Sequence, residues 1–211
     1  MFGAKLSKHL QPRKRKETML RRSAKEQIPE QPLFVFPSSL GWFAVVWQAE
    51  RLQALAFGYA SGAEAAGVLL ANPPSCDRQG AVAWLDLAGN SRRAGRDVCR
   101  LAERLRAYAD GGRDDFLDIP LAEPPGSQFT RKVLEHCRRI GYGQTCSYGQ
   151  LAARAGHPRA ARAVGRVMAA NRVPLVVPCH RVLGSTGSLH GYSGCGGLAM
   201  KRRLLALEGV L

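Results

Sequence analysis

From Phe34 onward, apolar residues arrive in dense runs of strand length. Trp42-Phe43-Ala44-Val45-Val46-Trp47 and Leu52-Gln53-Ala54-Leu55-Ala56-Phe57 flank a short polar turn, which predicts an antiparallel hairpin. Ser61 followed by Glu64 has the spacing of a capping box and opens a helix. Val98, Leu101, Leu105 and Tyr108 recur at helical spacing, so one face of that helix is apolar. Glu123-Pro124-Pro125-Gly126-Ser127 has the composition of a linker. The pattern divides the chain into an N-terminal α/β domain over 31–126 and a mainly α-helical C-terminal domain over 127–211.

Beyond the linker the period changes to that of short helices. Ser147 and Gln150 form a second capping box, opening a helix through Tyr148, Leu151 and Ala152 that Gly156 closes. Pro158 suits the first position of a following helix that runs through Ala161, Val164, Val167 and Met168 toward Asn171. Helix, Gly-containing turn, helix is the helix-turn-helix pattern. The second helix is built mainly from Ala160, Ala161, Ala163, Gly165, Ala169 and Ala170, with Arg159, Arg162 and Arg166 as its long polar side chains. Small residues allow close approach to a partner's backbone while the arginines reach phosphates. The apolar run Val173-Pro174-Leu175-Val176-Val177 then predicts a strand that stops at Pro178, which has no N–H for a ladder.

Charge sharpens this picture. The chain has 31 Lys+Arg against 16 Asp+Glu and a net charge of +15, a balance that favours a polyanionic partner. No acid occurs between Glu135 and Glu208, a stretch holding Arg138, Arg139, Arg154, Arg159, Arg162, Arg166, Arg172, Arg181, Lys201, Arg202 and Arg203. DNA is the favoured partner. Residues 1–30 carry nine Lys or Arg against three Glu with little apolar periodicity, and read as a basic disordered tail. No apolar core of a signal peptide follows it and no 18-residue apolar run exists to span a membrane. The expectation is a protein that is not secreted, cytoplasmic and nucleoid-associated in a bacterium or nuclear in a eukaryote.

The chemistry centres on Pro178-Cys179-His180-Arg181-Val182. A thiolate is a strong nucleophile, and an adjacent imidazole is the commonest means of making one. Neighbours on a regular strand point to opposite faces, so Cys179 and His180 cooperate only if the backbone bends between them or a water bridges them. The other five cysteines, Cys76, Cys99, Cys137, Cys146 and Cys195, form no CxxC or Cys/His cluster, which points to a reducing compartment. No metal and no cofactor are expected.

Taken together these segments resemble the O6-alkylguanine-DNA alkyltransferases, or methylated-DNA-protein-cysteine methyltransferases. The likeness runs from Phe129 to Glu208 through Gly143-Gln144-Thr145, Ser147-Tyr148, Leu151-Ala152, Gly156, Ala160-Ala161-Arg162-Ala163-Val164-Gly165, Asn171, Val173-Pro174, the Cys179 segment, Gly191-Tyr192-Ser193-Gly194, Gly196-Gly197-Leu198, Lys201, Leu204-Leu205 and Glu208-Gly209. A weaker match includes Asp114-Asp115-Phe116 and Ile119-Pro120-Leu121. The resemblance implies a ribonuclease-H-like N-terminal domain with a small antiparallel sheet, and a winged-helix-like C-terminal domain. It implies irreversible, single-turnover transfer of the alkyl group of O6-alkylguanine in double-stranded DNA to Cys179, with O4-alkylthymine as a further candidate substrate. The protein would act as a monomer.

By the same resemblance, His180 would take the thiol proton through a water, and Glu208 would orient the imidazole. Asn171 would hold the turn before the acceptor. Tyr148 would crowd the target phosphate and donate a proton to the departing guanine, and Arg162 would fill the vacated stack. Ala160, Ala161, Ala163 and Gly165 would lie against DNA, and Met168, Tyr192 and Ser193 would line the pocket of the flipped base. Arg172 stands where the family often has Pro, and the Tyr192–Gly197 loop is longer by about two residues than in animal members. Two other readings stay open: a helix-turn-helix regulator with Cys179 as an alkylation or redox sensor, and a cysteine hydrolase.

Overall fold

A computed structural model describes residues 33–71, 82–84 and 95–211; the basic tail and Cys76 lie outside them. The N-terminal half is built on a four-stranded sheet in the order β3-β2-β1-β4, from β1 (Leu33–Phe36), β2 (Trp42–Gln48), β3 (Arg51–Tyr59) and β4 (Val82–Trp84). The first three pair antiparallel, as the alternation requires, while β4 runs parallel to β1. The sheet is thus antiparallel only up to its last edge, where a crossover adds a parallel strand. The β2–β3 hairpin turns through Ala49 and Glu50, at φ of 48° and 58°, the pair of positive φ values that matches the twist of two-residue hairpins.

Strand alternation sends side chains to two layers. Leu33, Val35, Ala44, Val46, Ala54 and Ala56 pack under α1 (Gly62–Ala71). Phe34, Phe36, Phe43, Val45, Leu55 and Phe57 pack on the opposite side with α2 (Arg96–Ala109), through Val98, Leu101, Leu105 and Tyr108. Burial on both faces explains why these strands read as unbroken apolar runs. Ser61 Oγ accepts from Glu64 N–H at the start of α1.

The C-terminal half holds α3 (Gln128–Arg138), α4 (Tyr148–Arg154), α5 (Ala161–Ala169) and α6 (Gly197–Leu207), with the two-residue strands β5 (Cys146–Ser147) and β6 (Val182–Leu183) paired parallel. Val133, Cys137, Leu151, Ala152, Val164 and Met168 close a second core between α3, α4 and α5. The capping box at Ser147 and Gln150 is complete in both directions. Past α4 the chain reverses at Gly156, φ +85°, a conformation open to glycine.

Two expectations are corrected. The second helix of the pair opens at Ala161 rather than at Pro158. Pro158 instead sits inside a turn closed by Ala160 N–H on the His157 carbonyl. That turn sets the register in which Val164 and Met168 reach the core. The run Val173–Val177 is a compact turn rather than a strand. Asn171 Nδ2 donates to the Val177 carbonyl at 2.8 Å and Asn171 Oδ1 accepts from Val173 N–H. Val177 N–H closes back on the Val173 carbonyl, and Leu175 adopts φ 69°. Pro174 removes a donor that a ladder needs, and the Asn171 amide satisfies the backbone locally instead.

This turn threads between the two cores. Leu175 and Val176 belong to the cluster around the sheet, while Val177, Cys179 and Val182 belong to that of α3–α5. Met200 and Leu204 of α6 also enter the sheet cluster, and Leu55 N–H of β3 donates to the Arg172 carbonyl. The halves therefore share a packed seam, and Cys179 lies on it. Among the described residues no helix is long and apolar enough to cross a membrane.

Candidate active site

At Pro178 the chain enters a single 3-10 turn, Cys179–Arg181, closed by Arg181 N–H on the Pro178 carbonyl. With about three residues per turn, consecutive side chains no longer oppose one another. The bend removes the strand alternation that would send Cys179 and His180 to opposite faces. Cys179 is 8% exposed, and His180 and Arg181 are fully buried.

Behind the thiol is a network of buried charge. His180 Nε2 lies 3.0 Å from Glu208 Oε1. A carboxylate can only accept, so Nε2 carries the proton and Nδ1 is the basic nitrogen. Nδ1 is buried with no protein hydrogen-bond partner among the described residues. Arg181 donates from Nη2 and Nε to the same carboxylate, at 2.8 and 3.0 Å, and Tyr108 Oη donates to Glu208 Oε1 at 2.5 Å. Burial would raise the Glu208 pKa, but hydrogen bonds from His180, Arg181 and Tyr108 outweigh it and hold the carboxyl at about 2. Burial pushes His180 below its ordinary value, against the pull of Glu208. The imidazole is therefore a neutral base near pH 7.

Burial also pushes the Cys179 thiol up, opposed by the Asn171 amide, the Lys201 ammonium and the N–H groups of the turn. Cys179 therefore rests as a thiol, which would need a base to take its proton before it could act as a nucleophile. Lys201 is buried, donates to the Val182 and His190 carbonyls at 2.6 and 3.1 Å, and sits 5.8 Å from the centre of the Tyr148 ring.

In front of the thiol is a cavity of about 600 Å³, lined by Tyr148, Ala161, Arg162, Gly165, Met168, Cys179, Tyr192 and Ser193 together with Ala169, His190 and Gly191. Eight of the residues singled out in the sequence thus line one cavity. Tyr148 comes from the first turn of α4 and Arg162, exposed, from the first turn of α5. Ser193 Oγ donates to the Ala169 carbonyl at 2.8 Å and ties the loop to the end of α5. Ala163 of the same helix and Ala160, at its N-cap, are off the cavity wall, His180 and Glu208 lie behind it, and Asn171 lines a second cavity of about 450 Å³ that also reaches Cys179. Cys195 lines that second cavity too, with its thiol 3.1 Å from the Gly58 carbonyl. Among the described residues no group of three or more His, Cys, Asp or Glu is arranged to hold a metal ion.

Residues 128–210 match the model of the 6-O-methylguanine DNA methyltransferase DNA-binding domain. A methylated-DNA–protein-cysteine methyltransferase of Cricetulus griseus is 42% identical over 142 residues, covering 65% of this chain and 68% of that protein. The chain belongs to the methylated-DNA–protein-cysteine methyltransferase family. Another methyltransferase, from Mycolicibacterium paratuberculosis, is 49% identical over 106 residues, half of this chain, and the match spans 62% of its length. A crystal structure of Mycobacterium tuberculosis OGT in complex with DNA superposes with a TM-score of 0.61 at 28% identity, covering 84% of this chain and 92% of that one.

Three buried residues of this methyltransferase site carried no assigned role in the sequence reading. Tyr108 was visible only as one member of an apolar helical stripe, although a buried phenol needs a partner for its hydroxyl. Arg181 and Lys201 were counted with the basic charges of a surface. The lack of acids from 136 to 207 was their signal: a buried Arg181 there must reach beyond that stretch, to Glu208 or, at 3.2 Å, to Asp115.

Proposed function

We propose that this chain repairs duplex DNA by moving the alkyl group of O6-alkylguanine onto its own Cys179 in one irreversible step. The observation that carries this reading is the cavity itself: an acceptor thiol opens onto a space of about 600 Å³, within the range of small-ligand pockets, walled by the small face of α5. A base inside a duplex is out of reach, so the target nucleotide leaves the stack and enters this space. Arg162, exposed at the start of α5, fills the vacancy, and Ala160, Ala161, Ala163 and Gly165 let the helix approach the groove. Met168, Tyr192 and Ser193 hold the base.

His180 takes the Cys179 proton at Nδ1 through a water, and the glutamate behind it balances the imidazolium. The sulfur attacks the alkyl carbon, the S–C bond forms as the C–O6 bond breaks, and the electron pair stays with guanine. Tyr148 gives its proton to the leaving base. Asn171 keeps the turn that presents the thiol. The product is a thioether, which neither water nor thiols readily reverse, so one molecule repairs one lesion. O4-alkylthymine is a second substrate of the same step. The architecture fits a ribonuclease-H-like lobe over 31–126 and a winged-helix-like lobe over 127–211, acting as a monomer.

The test is an intact mass of the protein after mixing with a duplex carrying one O6-methylguanine, followed by peptide mapping. One methyl on Cys179, absent in Cys179→Ala, is the expected outcome. Tight lesion binding with an unmodified Cys179 would move the protein to the lesion-sensing class.

A further inference from the structure

Tyr108 stands on the apolar face of α2, 1% exposed, yet it ends in a hydroxyl. That hydroxyl donates to Glu208 Oε1 at 2.5 Å and lies 3.5 Å from His180 Nε2. It therefore meets the carboxylate oxygen that receives the imidazole proton. The same oxygen takes Arg181 Nη2 at 2.8 Å, while Oε2 takes Arg181 Nε at 3.0 Å and Gly143 N–H at 3.3 Å. His180 and Arg181 come from the 3-10 turn and Gly143 from the loop before β5, so Tyr108 is the donor from the N-terminal half. It also lies outside residues 128–210, the stretch that the family's DNA-binding domain covers.

We propose that Tyr108 is a positioning residue for the base that activates Cys179: its hydroxyl pins Glu208 Oε1 against His180 Nε2, so that the imidazole keeps its proton there and leaves Nδ1 to accept the thiol proton. The inference rests on the transferase reading of the site. A base oriented by a third group is the general logic of an activated nucleophile, and here the third group is itself oriented by a fourth from across the seam. The acceptor's base is then complete only when α2 is docked on the C-terminal half.

The charges around this network set the sign of the test. The imidazole faces Glu208, the Arg181 guanidinium and the Tyr108 phenol. Asp115 pairs with Arg181 at 3.2 Å, and Tyr142 stands edge-on to Tyr108 at 6.1 Å with Arg113 over its ring. From α6, the buried Lys201 ammonium adds positive charge that disfavours an imidazolium. Removing the phenolic donor leaves more negative charge on Oε1 facing the imidazole, which favours the protonated ring.

In Tyr108→Phe the single-turnover methyl-transfer rate is expected to fall about tenfold or more, with affinity for an undamaged duplex unchanged. The acid limb of the rate profile should move to higher pH, and the His180 imidazole resonances should titrate at higher pH by NMR. Phe116→Leu loosens packing against the Tyr108 ring, 5.7 Å away between centroids, but keeps the hydroxyl. It should lower the melting temperature without moving the limb. Placing 3-fluorotyrosine at position 108 strengthens the donor without altering the packing, and should move the limb to lower pH even if Tyr108→Phe does not fold. An acid limb and an imidazole titration that stay fixed in the substituted proteins would overturn the proposal. Absence of methyl transfer by the unaltered protein would instead defeat the transferase reading, while the imidazole titration still reports on Tyr108.

Discussion

Glu208 shows how a single side chain can be surface-like in sequence and central in space. Near the end of the chain, at the close of a helix carrying Lys201, Arg202 and Arg203, it could be a solvated carboxylate. In the fold its side chain is fully buried and receives a phenol, an imidazole and a guanidinium. Removing its charge leaves the Arg181 guanidinium, which is 1% exposed, with only one ion pair, the longer one to Asp115, among the described residues. Breaking one partner out of a buried pair typically costs 3–5 kcal/mol. Glu208→Gln should accordingly lower the unfolding free energy by about 3 kcal/mol in urea melts. Glu135→Gln removes the partner of Arg139 in an exposed pair of residues four apart, and should change it by no more than about 0.5 kcal/mol. Equal effects at the two positions would contradict the buried network. Cys179 and His180 were legible as a reactive pair because adjacency is a local property; their partners Glu208 and Tyr108, 28 and 72 residues from His180, were not visible from spacing alone.

Helix α5 walls the cavity in front of Cys179 through Ala161, Arg162, Gly165, Met168 and Ala169. Its small residues were read as a surface for close approach, and in the fold Ala161, Gly165 and Ala169 line that cavity. At Gly165 a Cβ would come within 4.0 Å of a Tyr148 ring carbon, an ordinary contact. Gly165→Ala should therefore fit and stabilise the helix by about 0.5–1 kcal/mol. Gly165→Phe places a ring in the cavity in front of Cys179, where it would compete with the base proposed to enter there. Single-turnover transfer from an O6-methylguanine duplex should fall about 100-fold with the melting temperature maintained. Full-rate transfer by that variant would mean that the base does not enter this cavity. The segment before the acceptor is the element where local reading failed. Val173–Val177 has the composition of a strand, yet among the described residues no strand pairs with it, and the Asn171 side chain supplies the hydrogen bonds of a turn.

For the molecule as a whole, the acceptor site lies on the seam between two cores, so its ionisation is tied to folding. His180 is depressed below 6.5 by burial, and Glu208 is held at about 2 against an ordinary 4.5. In both cases the unfolded chain binds the proton more readily, so stability falls as pH falls. The loss starts below 6.5 as the unfolded His180 is protonated. It steepens between 4.5 and 2 as Glu208 contributes a further loss of about 3 kcal/mol. Urea midpoints measured from pH 8 to pH 3 should trace this decline, and Glu208→Gln should flatten its lower part. An unchanged slope below pH 4.5 in that variant would assign the acid sensitivity elsewhere, such as to Asp114 and Asp118 around Arg104. By itself, the sequence determined the hairpin, the amphipathic α2, the helix pair opened by the Ser147 capping box, the basic character of the C-terminal half and the adjacency of the Cys179 thiol and the His180 imidazole. Each of these follows from interactions among residues close in the chain, through side-chain period, capping and composition. Only the tertiary structure decided that the acceptor segment bends into a 3-10 turn, that Tyr148, Met168, Tyr192 and Ser193 face one cavity, and that Tyr108 and Arg181 complete the network of Glu208. Those contacts join residues up to 100 positions apart, and burial between two cores, which no local pattern encodes, gives them their strength.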